Sequence, residues 1–307
     1  MLRFIILFAS AILTFSKSIG KCPLADEIYP CKCYAEFEEV GCTNLQVSSL
    51  KQIFNNVDRE IELHRLFIDS TEIKQLESQI FGKFSFSEVS LFDNKQLRSI
   101  HENAFESTAN KIEDLRIAGS ELYGDEIGLF SAIAKMSNLK RLLLVENKLQ
   151  KVASFGAQPQ LYLIEMHENQ INVIDDFAFK HLSNLEMLTL SRNNLTVVTE
   201  HMLAFNSPSN VSLTVDVSAN FLTADSFHVN SLAHSTIKRP VRLFIGGNPL
   251  KTLKQEIFKP LLDGHPENEI HFNHYPFGEE VKHFDCSGDE KWVLESDYSK
   301  RIIGFAC

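Results

Sequence analysis

The cysteines are the side chains whose type and spacing most clearly indicate chemistry in this sequence, and that chemistry is disulfide formation. Four of the six crowd the beginning of the chain and two lie at its end, at Cys22, Cys31, Cys33, Cys42, Cys286 and Cys307. An even number of cysteines behind a secretory signal is typical of oxidised extracellular proteins. This segregation predicts that the two ends are cross-linked, whereas the long middle is held together by its own core.

The first 20 residues have the pattern of a secretory signal. Arg3 provides a positive start, residues 4–15 are apolar, and the small residues Ser18 and Gly20 precede the expected cleavage point. A buried N-terminal helix is the alternative interpretation. The apolar run is shorter than the roughly 20 residues that a membrane span needs, and no later segment is more apolar. We therefore expect a secreted, extracellular protein without a membrane span.

Other candidate chemical groups fit ordinary structural roles better. His271-x-x-His274 lacks the spacing of four, with an intervening glutamate, of a helical zinc pair. Cys31-x-Cys33 could bind a metal in a cytosolic protein, but behind a signal it is better explained as disulfide chemistry. The sequence contains no G-x-S-x-G, phosphate-binding loop or H-E-x-x-H motif. We expect no catalytic residues, no metal and no cofactor, and therefore no enzyme.

The charge balance excludes some classes of partner. The full chain has a formal net charge of -10, and removing residues 1–20, which hold Arg3 and Lys17 but no acid, changes it to -12. An acidic surface repels phosphate backbones and anionic lipids. We therefore expect no nucleic-acid partner, and sulfated glycans are disfavoured for the same reason.

An internal repeat supplies the elements that must position these groups. The unit is apolar-x-apolar-x-x-Asn-x-apolar, as in Leu142, Leu144, Asn147 and Leu149. It recurs every 22 to 28 residues, within the range of leucine-rich repeats. Its first apolar positions are Leu66, Val89, Leu115, Leu142, Ile164, Leu188, Val215 and Leu243.

Each part of the repeat has a physical meaning. Apolar residues two apart point to one face of a short strand. The asparagine amide can bond backbone groups where the chain leaves that strand, so stacked copies would form a ladder. Thr71 and Ser120 stand in two of the asparagine positions and can imitate the amide only in part. A phenylalanine spine is expected on the convex side, at Phe81, Phe105, Phe130, Phe179 and Phe258.

This pattern predicts an α/β solenoid, a leucine-rich-repeat horseshoe with a concave parallel β-sheet and disulfide caps at both ends. An ordinary α/β domain would explain the apolar pairs but not the phased asparagines and phenylalanines. The predicted organisation is a signal peptide at 1–20, a cysteine-rich N-terminal cap at 21–60, about eight repeats at 61–257 and a C-terminal cap at 258–307.

The two ends resemble the cysteine-rich flanks of extracellular leucine-rich-repeat proteins. The first four cysteines follow that pattern, and Cys286, Trp292 and the final Ile303-Gly304-Phe305-Ala306-Cys307 resemble the C-terminal flank. The resemblance implies Cys22–Cys33 and Cys31–Cys42 bridges. The usual C-terminal flank carries four cysteines and this one carries two, so we expect a single Cys286–Cys307 bridge there. The stretch between Leu250 and Cys286 departs from the family pattern.

A narrower resemblance is carried by the N-terminal flank. Cys22-Pro23, Asp26-Glu27-Ile28, Pro30 and Cys31-x-Cys33 are similar to the start of arthropod secreted proteins related to the oplophorus-luciferin 2-monooxygenase non-catalytic subunit. That subunit is a leucine-rich-repeat protein associated with a separate small luciferase. The resemblance implies homology to the repeat subunit and does not imply luminescence.

The concave face is the predicted binding surface, because exposed apolar residues rimmed by charge mark interaction sites. The expected contact residues are Arg141, Leu143, Val145, Leu163, Glu165, His167, Met187 and Thr189. The curvature of the solenoid or a second copy in a homodimer could cover the apolar members instead. Two N-x-S/T sequons predict glycosylation at Asn194 and Asn210.

The expected function is an extracellular protein-binding scaffold, a non-catalytic partner of another secreted protein. One alternative is a structural protein associated with the extracellular matrix or with glycans. Another is a soluble innate-recognition molecule. The sequence leaves these alternatives open, as it does a homodimer.

Overall fold

The computed structural model describes residues 21–123, 126–273, 281–286, 288, 290–294 and 297–307. The predicted signal peptide at residues 1–20 and His274 lie outside this part of the chain. Five short helices lie in the described part: α1 Lys51–Asn55, α2 Glu126–Ile133, α3 His234–Ile237, α4 Gln255–Gly264 and α5 Lys291–Leu294. Two 3₁₀ turns accompany them, at Ala224–Ser226 and Asp297–Arg301.

A single twelve-stranded sheet runs the length of the molecule, and strands are numbered here along the chain. Its members are β1 Lys32–Tyr34, β2 Glu39–Thr43, β3 Ile61–Asp69, β5 Phe84–Phe92, β7 Asp114–Ala118, β8 Arg141–Leu143, β10 Leu163–Glu165, β12 Met187–Thr189, β13 Leu213–Asp216, β14 Val241–Phe244, β15 Glu269–His271 and β17 Ile302–Ile303. Among the described strands of this sheet, only β1 and β2 pair antiparallel, and every other pair is parallel.

Small parallel pairs form beside the main sheet. They consist of β4 Gln75–Leu76 with β6 Ser99–Ile100, β9 Lys151–Val152 with β11 Val173–Ile174, and β16 Lys282–His283 with β18 Phe305–Ala306. The first two join equivalent segments of successive turns, as expected when one short unit stacks on the next, and the third lies in the C-terminal cap.

The predicted phase of the repeat is confirmed by the register of the sheet. The first apolar residue of each predicted repeat pairs directly with its counterpart in the next, from Leu66 through to Leu243. These residues are buried on the inner face of the sheet. Burial of one such aliphatic side chain contributes about 1.5–3 kcal/mol, so the stacked layers form a continuous core without cross-links in the middle.

The stack of strands extends beyond the segment predicted to hold the repeats. Ile270 of β15 pairs with Leu243, and Ile302 of β17 pairs with Ile270. Both strands lie within residues 258–307, which were expected to form only the C-terminal cap. The repeat pattern did not reveal them because β15 and β17 lack the phased asparagine that marks the earlier strands.

The asparagine ladder is present at the edge where the strands end. Asn169 illustrates it, because its Nδ2 donates to the Leu144 carbonyl at 2.7 Å and its Oδ1 accepts from the Leu149 amide at 3.1 Å. Equivalent bonds to the preceding repeat are made by Asn94, Asn193, Asn220 and Asn248. Each buried amide thus satisfies backbone groups of two turns, which joins neighbouring repeats.

A left-handed residue precedes every ladder position. These residues have φ between 50° and 66°, and they are Ser70, Asp93, Gly119, Glu146, Glu168, Arg192, Ala219 and Gly247. Positive φ turns the chain sharply out of the strand and costs a residue other than glycine about 1–2 kcal/mol. The sequence did not reveal this pattern because only two of the eight are glycines.

The predicted phenylalanine spine is buried. Phe54, Phe81 and Phe105 form one run, with ring centroids 5.6 and 5.7 Å apart, and Phe130, Phe155 and Phe179 form another at 5.3 and 5.6 Å. Phe227 packs on Phe258 at 5.2 Å. The spine therefore includes Phe54, Phe155 and Phe227 in addition to the five predicted rings.

Disulfides close both ends of the solenoid. The bridges are Cys22–Cys33 and Cys31–Cys42, the pairing that the resemblance implies, and Cys286–Cys307, the single bridge expected at the C-terminal end. At the C-terminal end, Trp292 Nε1 donates to the Leu253 carbonyl at 3.0 Å, and the buried Glu290 accepts from the Leu253 amide at 2.9 Å. The backbone amide and carbonyl of Leu253 thus attach the C-terminal cap to the last repeat.

Candidate binding surface on the concave sheet

Side chains that alternate with the buried apolar residues stand on the concave face of the sheet. The register arranges them in two rows that cross the strands. The first row is Glu39, Arg65, Glu88, Asp114, Arg141, Leu163, Met187, Thr214, Arg242 and Glu269. The second row is Gly41, Phe67, Ser90, Arg116, Leu143, Glu165, Thr189, Asp216, Phe244 and His271.

Ion pairs connect the strands in the N-terminal half of this face. Arg65 bridges Glu39 at 3.2 Å and Glu88 at 3.1 Å. The pKa of Arg65 is raised, mainly because its guanidinium donates a hydrogen bond to Glu88. Because both partners of Arg65 are carboxylates on neighbouring strands, its guanidinium links β2, β3 and β5.

The same chain of charges continues across β7 and β8. Arg116 donates to Asp114 at 2.7 and 3.1 Å and lies 3.6 Å from Glu88, and Arg141 also contacts Asp114. The pKa of Arg116 is raised, mainly because its guanidinium donates hydrogen bonds to Asp114. Three arginines therefore match three acids, so the N-terminal half of the concave face is neutralised internally.

Apolar side chains replace the charges in the centre of the sheet. Leu163 and Met187 are direct neighbours in the first row, and Leu143 lies beside Glu165 in the second. All three apolar side chains are half-buried, so each keeps contact area on the concave surface. Arg141, Glu165 and His167, the charged and polar residues predicted around them, are half-buried as well.

Two of the eight predicted contact residues offer little surface. Thr189 is only 5% exposed and Val145 only 9%. The His167 ring approaches the Thr189 hydroxyl at 3.4 Å, which helps to cover it. Neighbouring strands lie about 4.8 Å apart, so longer side chains on either side shield short ones. The contact surface is therefore smaller than the sequence predicts.

Aromatic and acidic groups line the C-terminal part of the face. The Phe244 and His271 rings stack with centroids 4.3 Å apart, and His271 Nε2 lies 2.9 Å from a Glu269 carboxylate oxygen. Contacts with Phe244 and Glu269 thus hold the His271 ring in place on the sheet. In the residues that the structure describes, no group of three or more His, Cys, Asp or Glu side chains is arranged to hold a metal ion.

The structure places the two sequons at opposite edges of the sheet. Asn194 is exposed and follows the ladder residue Asn193, where β12 has ended. Asn210 is exposed and lies just before β13 begins. Neither asparagine stands in a row of the concave face.

Sequence reasoning missed the ion-pair chain. Its signal was present, since Arg65, Glu88, Asp114 and Arg141 occupy one position of four successive repeats with both signs of charge. Aligning the repeats and comparing the charges at each position would have revealed the chain of ion pairs.

The comparisons with known proteins agree with this architecture. A leucine rich repeat family matches residues 159–207. The chain is 21% identical over 304 residues to the Oplophorus-luciferin 2-monooxygenase non-catalytic subunit of Oplophorus gracilirostris, covering 90% of this chain and 79% of that protein. It is 25% identical over 197 residues to the transforming growth factor beta activator LRRC33 of Danio rerio, covering 59% of this chain and 27% of that protein.

Two solved structures show the same fold. One is a chain of the octameric complex of latrophilin 3, Unc5D and FLRT2, with a TM-score of 0.54 and 18% identity, covering 93% of both chains. The other is human 5T4, also named Wnt-activated inhibitory factor 1 or trophoblast glycoprotein, with a TM-score of 0.52 and 14% identity. That match covers 92% of this chain and 99% of the other. At these identities the likeness concerns the fold alone.

None of the helices in the described ranges has the length and apolar character needed to cross a bilayer. The register of the strands, the asparagine ladder and the bridged ends all agree with the matched repeat family and the solved structures. The chain folds as a leucine-rich-repeat solenoid with disulfide-capped ends and is similar to the Oplophorus-luciferin 2-monooxygenase non-catalytic subunit.

Proposed function

We propose that this protein is an extracellular, non-catalytic scaffold that binds another extracellular protein through the centre of its concave sheet. The observation that carries the proposal is the half-buried apolar group formed by Leu143, Leu163 and Met187, rimmed by Arg141 and Glu165. Apolar side chains in the middle of a polar face lose contact with water when a partner covers them, which favours binding.

Other observations support this role. The relative that spans most of the chain is named as a non-catalytic subunit, so it works beside another polypeptide. One solved chain with the same fold belongs to a complex of several different proteins. The three disulfides fit an oxidising, extracellular compartment, as does the signal peptide that the sequence predicts at residues 1–20.

A pair of double variants tests the proposal. The tagged protein is used to capture partners from the extracellular fluid of its own organism, and captured proteins are identified by mass spectrometry. The variant Leu143→Glu with Met187→Glu should retain the fold and lose the specific partner, because it places two charges in the contact surface. Val173→Glu with Val197→Glu is the matched control, since both valines are exposed outside the main sheet.

The outcomes separate the alternatives. Loss of the partner in the first variant alone supports the concave face as the binding surface. Equal capture by both variants would overturn it. Recovery of only this chain, which would indicate a homodimer, would also overturn the proposed role as a partner of another protein.

A further inference from the structure

We propose that the exposed ring of Phe221 is the packing surface for the first sugar, an N-acetylglucosamine, of an N-linked glycan on Asn194. The contact gives an occupant to an apolar side chain that the binding surface on the concave sheet does not use. It does not depend on which protein the concave sheet binds, because both residues lie at the edge where the strands have ended.

The position directly after the ladder asparagine is exposed along this part of the edge. Gln170, Asn194 and Phe221 occupy that position in three successive turns, and all three are exposed. Phe221 has 58% of its surface exposed, whereas the phenylalanines of the convex spine are buried. A single exposed apolar residue is common on protein surfaces. What distinguishes Phe221 is that the equivalent residue of the preceding turn is the asparagine of a sequon.

Backbone hydrogen bonds fix Phe221 beside this sequon. The Phe221 amide donates to the carbonyl of Leu195, the middle residue of Asn194-Leu195-Thr196, at 3.0 Å. The Asn194 amide donates in the same way to the Ile171 carbonyl of the turn before it, at 2.9 Å. Adjacent strands of a sheet lie about 4.8 Å apart, so side chains at one position of stacked turns extend side by side. The ring therefore lies within reach of a sugar bonded to Asn194.

The Asn194 side chain is available for this modification. The neighbouring Asn193 is buried in the ladder, where its Nδ2 donates to the Met166 carbonyl at 2.9 Å. Asn194 is exposed, and within the described part of the chain its side-chain amide makes no hydrogen bond. Thr196, which completes the sequon, is exposed as well. An oligosaccharide can therefore be attached to Asn194 without breaking a bond of the ladder.

The residues on either side of Asn194 suit the two kinds of surface on a sugar. One face of N-acetylglucosamine presents C–H groups, which pack favourably on the negative face of an aromatic ring. Its hydroxyl and acetamido groups need polar partners or water. Phe221 in the following turn offers the ring, and Gln170 in the preceding turn offers an amide. This combination favours a sugar over a purely apolar segment of another protein.

A comparison of unfolding temperatures separates this contact from the general effects of glycosylation. All proteins carry Asn210→Gln, which removes the other sequon. They are secreted from mammalian cells treated with kifunensine, and endoglycosidase H then leaves one N-acetylglucosamine on Asn194. Each is compared with its Asn194→Gln counterpart, both with Phe221 and with Phe221→Gln. Phe37→Gln is the matched control, because Phe37 is 67% exposed but lies in the N-terminal cap.

The sugar should raise the unfolding midpoint by about 1–3 °C when Phe221 is present. This gain should disappear in Phe221→Gln and persist in Phe37→Gln, because both variants keep the effect of the sugar on the unfolded chain. Protein labelled with ¹³C in its phenylalanine rings should also show nuclear Overhauser contacts between Phe221 and the sugar protons.

Three results would overturn the proposal. The first is an equal gain from the sugar in the protein with Phe221 and in Phe221→Gln. The second is a glycosylated protein without nuclear Overhauser contacts between the Phe221 ring and the sugar. The third is secretion of the protein with Asn194 unmodified. None of these results would affect the proposed capture of a partner by the concave sheet, so the two proposals fail separately.

Discussion

Ser120 and Asn147 occupy successive positions of the ladder, yet no hydrogen bond joins them within the described part of the chain. The buried Ser120 Oγ and Asn147 Oδ1 both lack a partner there. Thr71, which also stands in an asparagine position of the ladder, donates its hydroxyl to Asn94 Oδ1 at 2.6 Å. Asn147 Nδ2 still donates to the Ile117 carbonyl at 2.8 Å, so the ladder between the third and fourth repeats keeps one of its two bonds and is weaker there.

Replacing Ser120 with asparagine should give the third repeat the amide that the other ladder positions use to bond the preceding repeat. Ser120→Asn is expected to raise the free energy of unfolding by about 1 kcal/mol, because a buried polar atom gains a partner. Urea unfolding followed by circular dichroism measures the change. The reverse substitution, Asn169→Ser, should lower stability by about 1–3 kcal/mol. A lower midpoint for Ser120→Asn would show that the pocket cannot accept the amide.

Two adjacent glycines at the end of β14 should respond differently to alanine. A Cβ on Gly246 would lie 1.9 Å from the Phe272 carbonyl oxygen, so Gly246→Ala must separate the last repeat from the C-terminal cap. Gly247 has φ +66° and no such obstruction, so Gly247→Ala should cost only about 1–2 kcal/mol. Thermal unfolding of both variants makes the comparison. Equal losses would contradict the close approach at Gly246.

The N-terminal cap should lose one stabilising interaction at low pH. Hydrogen bonds from Arg59, and then from the Leu24 amide, lower the pKa of Glu27 to about 2. A lowered carboxyl pKa contributes stability above its unfolded value of 4.5 that is lost as pH falls through about 2. The stability difference between wild type and Arg59→Gln should therefore shrink between these pH values. A difference that persists below pH 2 would contradict this origin, and an NMR titration of Glu27 provides the control.

Glycans are expected at both sequons when the protein passes through a secretory pathway. Asn194 and Asn210 are exposed, and Thr196 of the first sequon is exposed as well. Mass spectrometry before and after glycosidase treatment should show two modified asparagines, with Asn194→Gln and Asn210→Gln each removing one. Partner capture should remain unchanged because both sites lie at the ends of strands. Loss of capture in either variant would place the partner at a sheet edge.

Much of the fold follows from the sequence because its repeat is periodic. The spacing of residues such as Leu142, Ile164 and Leu188 fixes which strands are neighbours, and the structure places them in direct register. The asparagine at the same phase fixes where each strand ends. Local pattern and long-range pairing agree because each turn contacts mainly the turns next to it.

The candidate site follows from the sequence only in outline. Strand alternation identified Leu163 and Met187 as concave residues, but burial of Val145 and Thr189 depends on the sizes of their neighbours across the sheet.

The sequence also did not predict the burial of Arg239, which again depends on contacts between distant segments. It is 1% exposed, its guanidinium donates to the carbonyls of Leu182, Ser183 and Leu185, and burial lowers its pKa to about 10. Such contacts join segments more than 50 residues apart and leave no local pattern.

Photo-crosslinking from Leu163 tests the central claim most directly. A benzoylphenylalanine placed at this half-buried position in the middle of the concave sheet should form a covalent adduct with the partner protein in native extracellular fluid. The same group at Val173, which is 48% exposed outside the main sheet, should form none. An adduct from Val173 and none from Leu163 would show that the partner binds elsewhere.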